Sequence, residues 1–283
     1  MKRPIEIAQE EQDMSTIVNL TTAFEGIASM RISQIKDQVL QSTEFFAELW
    51  KIYTQLRVDS LFRFGRVEED EVIDKDLFIA ITAESGFSGD IDQKLLDWML
   101  TQYDPKRQDL ILIGHHGAIQ LAQAGVPFKK YYKLPEKDRD INVTPLVKYV
   151  RQYRSTSVFY QTYISLMVQD IKKIEVQKSV IEAGDKVKET GDVIDETTYI
   201  FEPSNYAVIA HLERSMVEIT LSQLILESKL AQYASRFRSM SAAKDKSRES
   251  WEELHVSYNR TKRQMTDERL KEIINGMRKA IGV

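Results

Sequence analysis

The sequence predicts an α/β fold in which a long antiparallel coiled coil of N- and C-terminal helices carries a small α/β insert. Three observations predict it. From Ser204 to Asn275 there is neither proline nor glycine, and apolar residues recur at alternating steps of three and four. Between Gly26 and Gly65 the chain is again free of both, with the same spacing. The punctuation lies between: five of six prolines and eight of eleven glycines fall within 65–203. The chain therefore divides into an N-terminal helix (1–64), an insert (65–203) and a C-terminal helix (204–283).

On the first helix the stripe runs through Ala28, Ile32, Ile35, Val39, Phe46, Leu49, Tyr53 and Leu56, with Ile17, Leu20 and Phe24 extending it upstream. On the last it runs through Ile209, Leu212, Met216, Ile219, Leu226, Leu230, Tyr233, Phe237 and Met240, then Trp251, Leu254, Tyr258 and Met265. A repeat averaging about 3.5 residues is that of a coiled-coil seam. At about 1.5 Å rise per residue the last helix would extend roughly 110 Å uninterrupted, which calls for a partner helix. Lys244 and Ser247 interrupt its stripe, marking either a parting of the helices or a layer that fixes register.

Within the insert, Asp76–Ala83 reads as a buried strand, followed by a turn at Glu84–Asp90 and a helix from Ile91 to Gln102. Asp109–Ile113 is a second strand. A helix at Ala118–Gln123 and a strand at Lys129–Lys133 follow. Pro145 suits the first turn of a helix reaching about Tyr153. Val158–Ile164, Met167–Gln177 and Tyr199–Glu202 read as strands, and Glu182–Glu196 as a mobile loop. Strands alternating with helices argue for a small, Rossmann-like parallel sheet.

Composition narrows the function. The net charge of −4 over 283 residues gives no reason to expect nucleic acid. It is uneven: from Ser204 onward fourteen Lys/Arg face ten Asp/Glu. The absence of cysteine excludes disulfides and thiolate metal sites. The polar, acidic start is not expected to be a signal peptide, and no apolar run approaches the ~20 residues of a membrane span. Local motifs carry no expected catalytic, cofactor or metal site. Gly86-Phe87-Ser88-Gly89 joins a strand to a helix but lacks the Lys-Ser/Thr of a P-loop, so Gly86 and Gly89 read as a structural turn. His115-His116 reads as a loop pair without a third ligand. Glu84, Asp90 and Asp92 fit turn and cap chemistry.

The segment Tyr258-Asn259-Arg260 through Leu270, Glu272, Ile273 and Gly276 resembles, without a gap, the C-terminal signature of the F-type ATP synthase gamma subunit. Ser235-Arg236-Phe237-Arg238-Ser239-Met240-Ser241-Ala242-Ala243-Lys244-Asp245 is similar to another of that family's motifs. So are Gly86–Gly89 after the first strand, Tyr199–Pro203 before the last helix, and Leu20–Ala28. The resemblance implies a non-catalytic rotor shaft standing in a ring of alpha and beta subunits, with the insert meeting an epsilon-type subunit and the membrane c-ring. It implies a peripheral location on the cytoplasmic membrane face and no cofactor. It also assigns ring contact to Arg236, Lys262, Arg263, Asp267 and Arg269. The family's Arg-Gln pair is Lys262-Arg263 here, and its Thr and Glu are Asp267 and Arg269. These departures imply a matching change in the partner and a divergent member, of a sodium-coupled or otherwise repurposed F1-like ATPase. A different class of reading is a coiled-coil adaptor with the insert as a ligand-binding head. A third, an enzyme working at Gly86–Asp90, would require a pocket with perturbed carboxylates.

Overall fold

The computed structural model describes residues 4–55, 73–135, 141–185, 202 and 204–281. Six helices and five strands are found among them: α1 (Pro4–Gln55), β1 (Ile73–Ile81), α2 (Ile91–Leu100), β2 (Gln108–Ile113), α3 (His115–Gln123), β3 (Lys130–Tyr132), α4 (Thr144–Gln152), β4 (Tyr153–Tyr163), β5 (Gln169–Glu175), α5 (Val176–Asp185) and α6 (Asn205–Ile281). The chain divides into two compact units, one of Ala28–Arg236 and one of the residues up to Ile27 with those from Phe237 onward.

The larger unit is a three-layer α/β head. Its sheet has the order β3-β2-β1-β4-β5. β1 pairs in parallel with β2 and β4, and β2 with β3, while β5 runs antiparallel to β4. The sheet is thus mixed where the sequence suggests a parallel one. Side chains alternate across β1, as strand geometry requires. Leu77, Ile79 and Ile81 join Phe46 and Trp50 of α1, Val147 and Val150 of α4, Val176 and Val180 of α5, and Met216 and Leu221 of α6. Phe78 and Ala80 face Leu95 and Met99 of α2 and Leu121 of α3. Both faces of the sheet are covered, which suits its near-continuous apolar strands.

Several boundaries differ from expectation for tertiary reasons. β4 begins at Tyr153, five residues before Val158, because its polar start pairs with the polar start of β1. Ser155 Oγ donates to Asp76 (2.7 Å) and Arg154 to Asp74 (3.1 Å). α5 replaces the end of the expected strand and the start of the expected loop, because Val176 and Val180, four apart on a helix, both bury fully. His115 and His116 open α3 instead of lying in a loop. Loop residues 186–196, strand residues 199–201, and α1 beyond Gln55, including the stripe residue Leu56, lie outside the described residues.

Glycine is required where α3 approaches β1. Gly114 has φ +97°, and a Cβ there would lie 2.0 Å from the Thr82 carbonyl oxygen. In the turn after β1, positive φ falls on Phe87 (+67°) and Gly89 (+70°) and not on Gly86.

The smaller unit is an antiparallel helix pair. Glu25 of α1 meets Lys244 of α6 at 2.6 Å, and Glu11 meets His255 at 2.6 Å. The inward positions of α1 are Ile7, Glu11, Met14, Val18, Thr21 and Glu25, a four-three alternation in which Ile7 and Thr21 are buried. The expected stripe Ile17, Leu20 and Phe24 lies beside this seam and is exposed (42, 53 and 37%). Apolarity alone selects the wrong face here, because the polar seam residues are satisfied where they sit. Thr21 returns its hydroxyl to the carbonyls of Ile17 and Val18, and the two glutamates find cations. Lys244 therefore occupies a seam layer that fixes register, and its hydrogen bond lowers the Glu25 pKa.

Candidate functional site

In the head, α6 crosses the sheet on buried polar side chains. Asp92, fully buried on α2, accepts from the Ala83 amide (3.1 Å) and Gln161 Nε2 (2.7 Å), and pairs with His116 Nδ1 (2.8 Å). Gln161 Oε1 in turn accepts from Ser228 Oγ and from Gln232 Nε2 (3.3 Å) of α6. One turn on, Ser235 Oγ donates to the Ser88 carbonyl (2.6 Å). Arg236 donates to the carbonyls of Ser85 (2.8 Å) and Gly86 (3.1 Å), its guanidinium 5.1 Å from the Tyr233 ring centre. The helix is thus keyed to the sheet by directional bonds, which specify one register where apolar contact would tolerate several. The hydrogen bond to Asp92 raises the His116 pKa, and burial lowers that of Arg236.

This network includes one expected site residue. Arg236, grouped by resemblance with the ring contacts, is 9% exposed and turned onto the loop after β1. It clamps the turn, whose chain reversal leaves two carbonyls needing donors. The neighbouring polar residues of α6, Ser228, Gln232 and Ser235, at steps of four and three within an apolar helix, are the signal of this network in the sequence. Glu84 also has a defined task. Its carboxylate accepts from Tyr131 Oη and from the amides of His115 and Leu134 (3.2 Å each), tying together the ends of three strands. Burial, then the Glu84 charge, pushes the Tyr131 pKa up to about 12.

The other expected residues lie on the last turns of α6 in the smaller unit. Lys262, Arg263, Asp267 and Arg269 are all exposed, Lys262 lying 5.9 Å from the Tyr258 ring centre. Lys262 and Arg269, seven apart, share a helix face, and Arg263 and Asp267, four apart, are neighbours on another. Beyond them Leu270, Ile273, Ile274 and Met277 are 50–61% exposed at i, i+3, i+4 and i+7. This is an amphipathic stripe without a covering element among the described residues. Among the described residues no group of His, Asp and Glu is arranged to hold a metal ion, and no helix is long and apolar enough to cross a membrane.

A sheet covered by helices on both faces in one unit, and in the other an antiparallel pair of long helices with an exposed apolar stripe at the end of α6, define the class: an α/β protein that also carries a long helix pair. The ATP synthase family profile matches residues 6–279. The chain belongs to the gamma-subunit family of ATP synthase, the rotor subunits of the F-type enzymes. It is 21% identical over 272 residues to an ATP synthase gamma chain of Staphylococcus aureus, covering 91% of this chain and 92% of that one. To the gamma chain of Clostridium novyi it is 19% identical over 281 residues, covering 96% of each. The fold is similar to a chain of the Euglena gracilis mitochondrial ATP synthase, solved as OSCP/F1/c-ring, with TM-score 0.58, 13% identity and 98% and 97% coverage. It is also similar to one from the Tetrahymena thermophila mitochondrial central stalk and c-ring, with TM-score 0.56, 14% identity, and 79% and 99% coverage.

Proposed function

We propose that this chain is the non-catalytic central shaft of a rotary ATPase, acting within a ring of alpha and beta subunits that holds the nucleotide sites. The observation that carries the reading is the exposed stripe Leu270, Ile273, Ile274 and Met277 at the end of α6. Four large apolar side chains at one helical face need a surface to cover them, and a sleeve of ring subunits supplies one. Lys262, Arg263, Asp267 and Arg269 then meet polar groups of the ring near that sleeve. A single asymmetric shaft contacts three like subunits unequally. Each orientation therefore favours a different open or closed state in each, and turning the shaft exchanges mechanical work for nucleotide affinity.

In this reading, segments 1–64 and 204–283 form the shaft and 65–203 the insert, which binds an epsilon-type subunit and the c-ring. The complex is peripheral, on the cytoplasmic face of the membrane. The family match and the structural relatives, solved within F1/c-ring and central stalk/c-ring assemblies, support this reading.

The test is purification of the tagged native chain with identification of what accompanies it, followed by ATPase assay. Two large nucleotide-binding subunits in a 3:3:1 ratio with this chain are expected. Lys262→Glu with Arg263→Glu should slow turnover while the complex stays intact. A chain that purifies only with itself overturns the proposal.

A further inference from the structure

The helix pair of the smaller unit sorts its side chains poorly for standing alone. Six positions of α1 face inward, Ile7, Glu11, Met14, Val18, Thr21 and Glu25, and three of them are polar. The two glutamates meet His255 and Lys244 of α6 at 2.6 Å each. Among the described residues of this unit only Ile7, Thr21 and Met240 are buried. Large apolar side chains lie outside instead. Ile17, Leu20 and Ile27 of α1 are 42–53% exposed, and Val256, Leu270 and Ile273 of α6 are 52–67% exposed.

Such a pair holds itself together weakly. A polar residue at a seam position fixes register at a cost in stability, and ion pairs that reach water add little. Propagating a helix in water is close to neutral, so most helical stability comes from packing an apolar face. The head has that packing on both faces of its sheet. The pair lacks it, and α6 is exposed throughout 265–278, where Asn275 and Gly276 are poor helix formers. Stability within one chain divides into units, and a unit with few buried apolar contacts opens first.

We propose that the helix pair is a separate, weakly stable unit ordered by an enclosing protein partner: it opens in the free chain while the head stays folded, and is fixed when a partner covers the outward apolar side chains of both helices. The identity of that partner, the ring of alpha and beta subunits, rests on the rotor reading. A ring suits the pair because the apolar side chains stand on both helices, and an enclosing surface reaches both at once. Ordering and assembly are then one event, and part of the interface energy is spent on fixing the helices.

Hydrogen exchange followed by mass spectrometry, on the full-length chain alone and in the complex purified with it, tests this. In the free chain, amides of 7–25 and 244–278 should exchange within about tenfold of an unstructured chain. Those of β1, β2 and β4 should be at least about a thousandfold slower. In the complex the helical amides should slow by at least about a hundredfold. Glu25→Leu with Lys244→Leu replaces a polar seam layer by an apolar one, and should slow exchange of the pair in the free chain at least about tenfold. Slow exchange of the pair in the free wild-type chain overturns the proposal. So does a complex in which the pair exchanges as fast as in the free chain, or a double variant that leaves its rate unchanged. If no ring accompanies the chain, the rotor reading fails by itself, and the free-chain and variant rates decide this proposal alone.

Discussion

One helix, α6, meets opposite conditions at two places. Over 228–236 it buries Ser228, Lys229, Gln232, Ser235 and Arg236, while over 270–277 it exposes Leu270, Ile273, Ile274 and Met277. The usual sorting of apolar in and polar out is reversed at both. In the head, the apolar layer around Met216 and Leu221 already supplies burial, and the polar residues that follow add direction and register. At the other end no element among the described residues supplies burial, and in the proposed assembly the apolar side chains form an interface for a partner. Exposure on this helix therefore reports which contacts are internal and which belong to an assembly.

The sharpest break of that contrast is Asp92→Ala. It strips Gln161, His116 and the Ala83 amide of a fully buried acceptor, and breaking such a pair costs about 3–5 kcal/mol. Urea denaturation should show the loss directly. Next comes Gly114→Ala, which forces a Cβ against the Thr82 carbonyl at φ +97° and should cost about 2–3 kcal/mol in the same assay. Gly86→Ala, where a Cβ meets nothing within 4 Å, should stay within about 0.5 kcal/mol. At the other end, serine at Leu270, Ile273, Ile274 and Met277 should leave the melting temperature of the chain unchanged. It should cut ATPase turnover of the assembled complex by about tenfold or more, as loss of an apolar interface anchor does. A fall in the chain's own stability instead would mean that the stripe packs internally.

Those two regions were unequally legible. The three-four period and the concentration of glycine and proline between residues 65 and 203 announced helix, insert and helix, because backbone punctuation is local chemistry. β1 and β2 were legible from runs such as Asp76–Ala83 for the same reason. The seam of α1 was not. Ile17, Leu20 and Phe24 outscore Val18, Thr21 and Glu25 in apolarity, and only the facing Lys244 and His255 make the polar register the satisfied one. The start of β4 at Tyr153 likewise depends on its pairing with Ile73, far away in sequence. Arg236 shows the limit for sites: a cationic side chain on a helix looks the same in sequence whether it meets a partner or a carbonyl of its own loop.

The smallest expected effect is the most specific to the buried network. The hydrogen bond from His116 to Asp92, aided by the carboxylate's charge and opposed by burial and by Arg236, raises the imidazole pKa above its ordinary value. A group whose folded pKa is raised contributes stability that is fully present below its unfolded pKa, about 6.5, and is lost as pH rises through the folded value. The head should therefore unfold at lower urea as pH increases from about 6.5, by more than its other groups require. His116→Gln removes the titrating group, so the wild-type minus variant difference in urea midpoint should shrink with rising pH. Asp109 provides the opposite slope on the same sheet. Burial pushes its pKa up, but the donors Tyr153, Lys75 and Lys129 outweigh that and hold it at about 2. Its contribution is present above about pH 4 and fades only as pH falls toward 2. Between pH 6 and 8 Asp109 is silent, so a difference confined to that window belongs to His116 and to the contact that keys α2 and α3 to the α6 network.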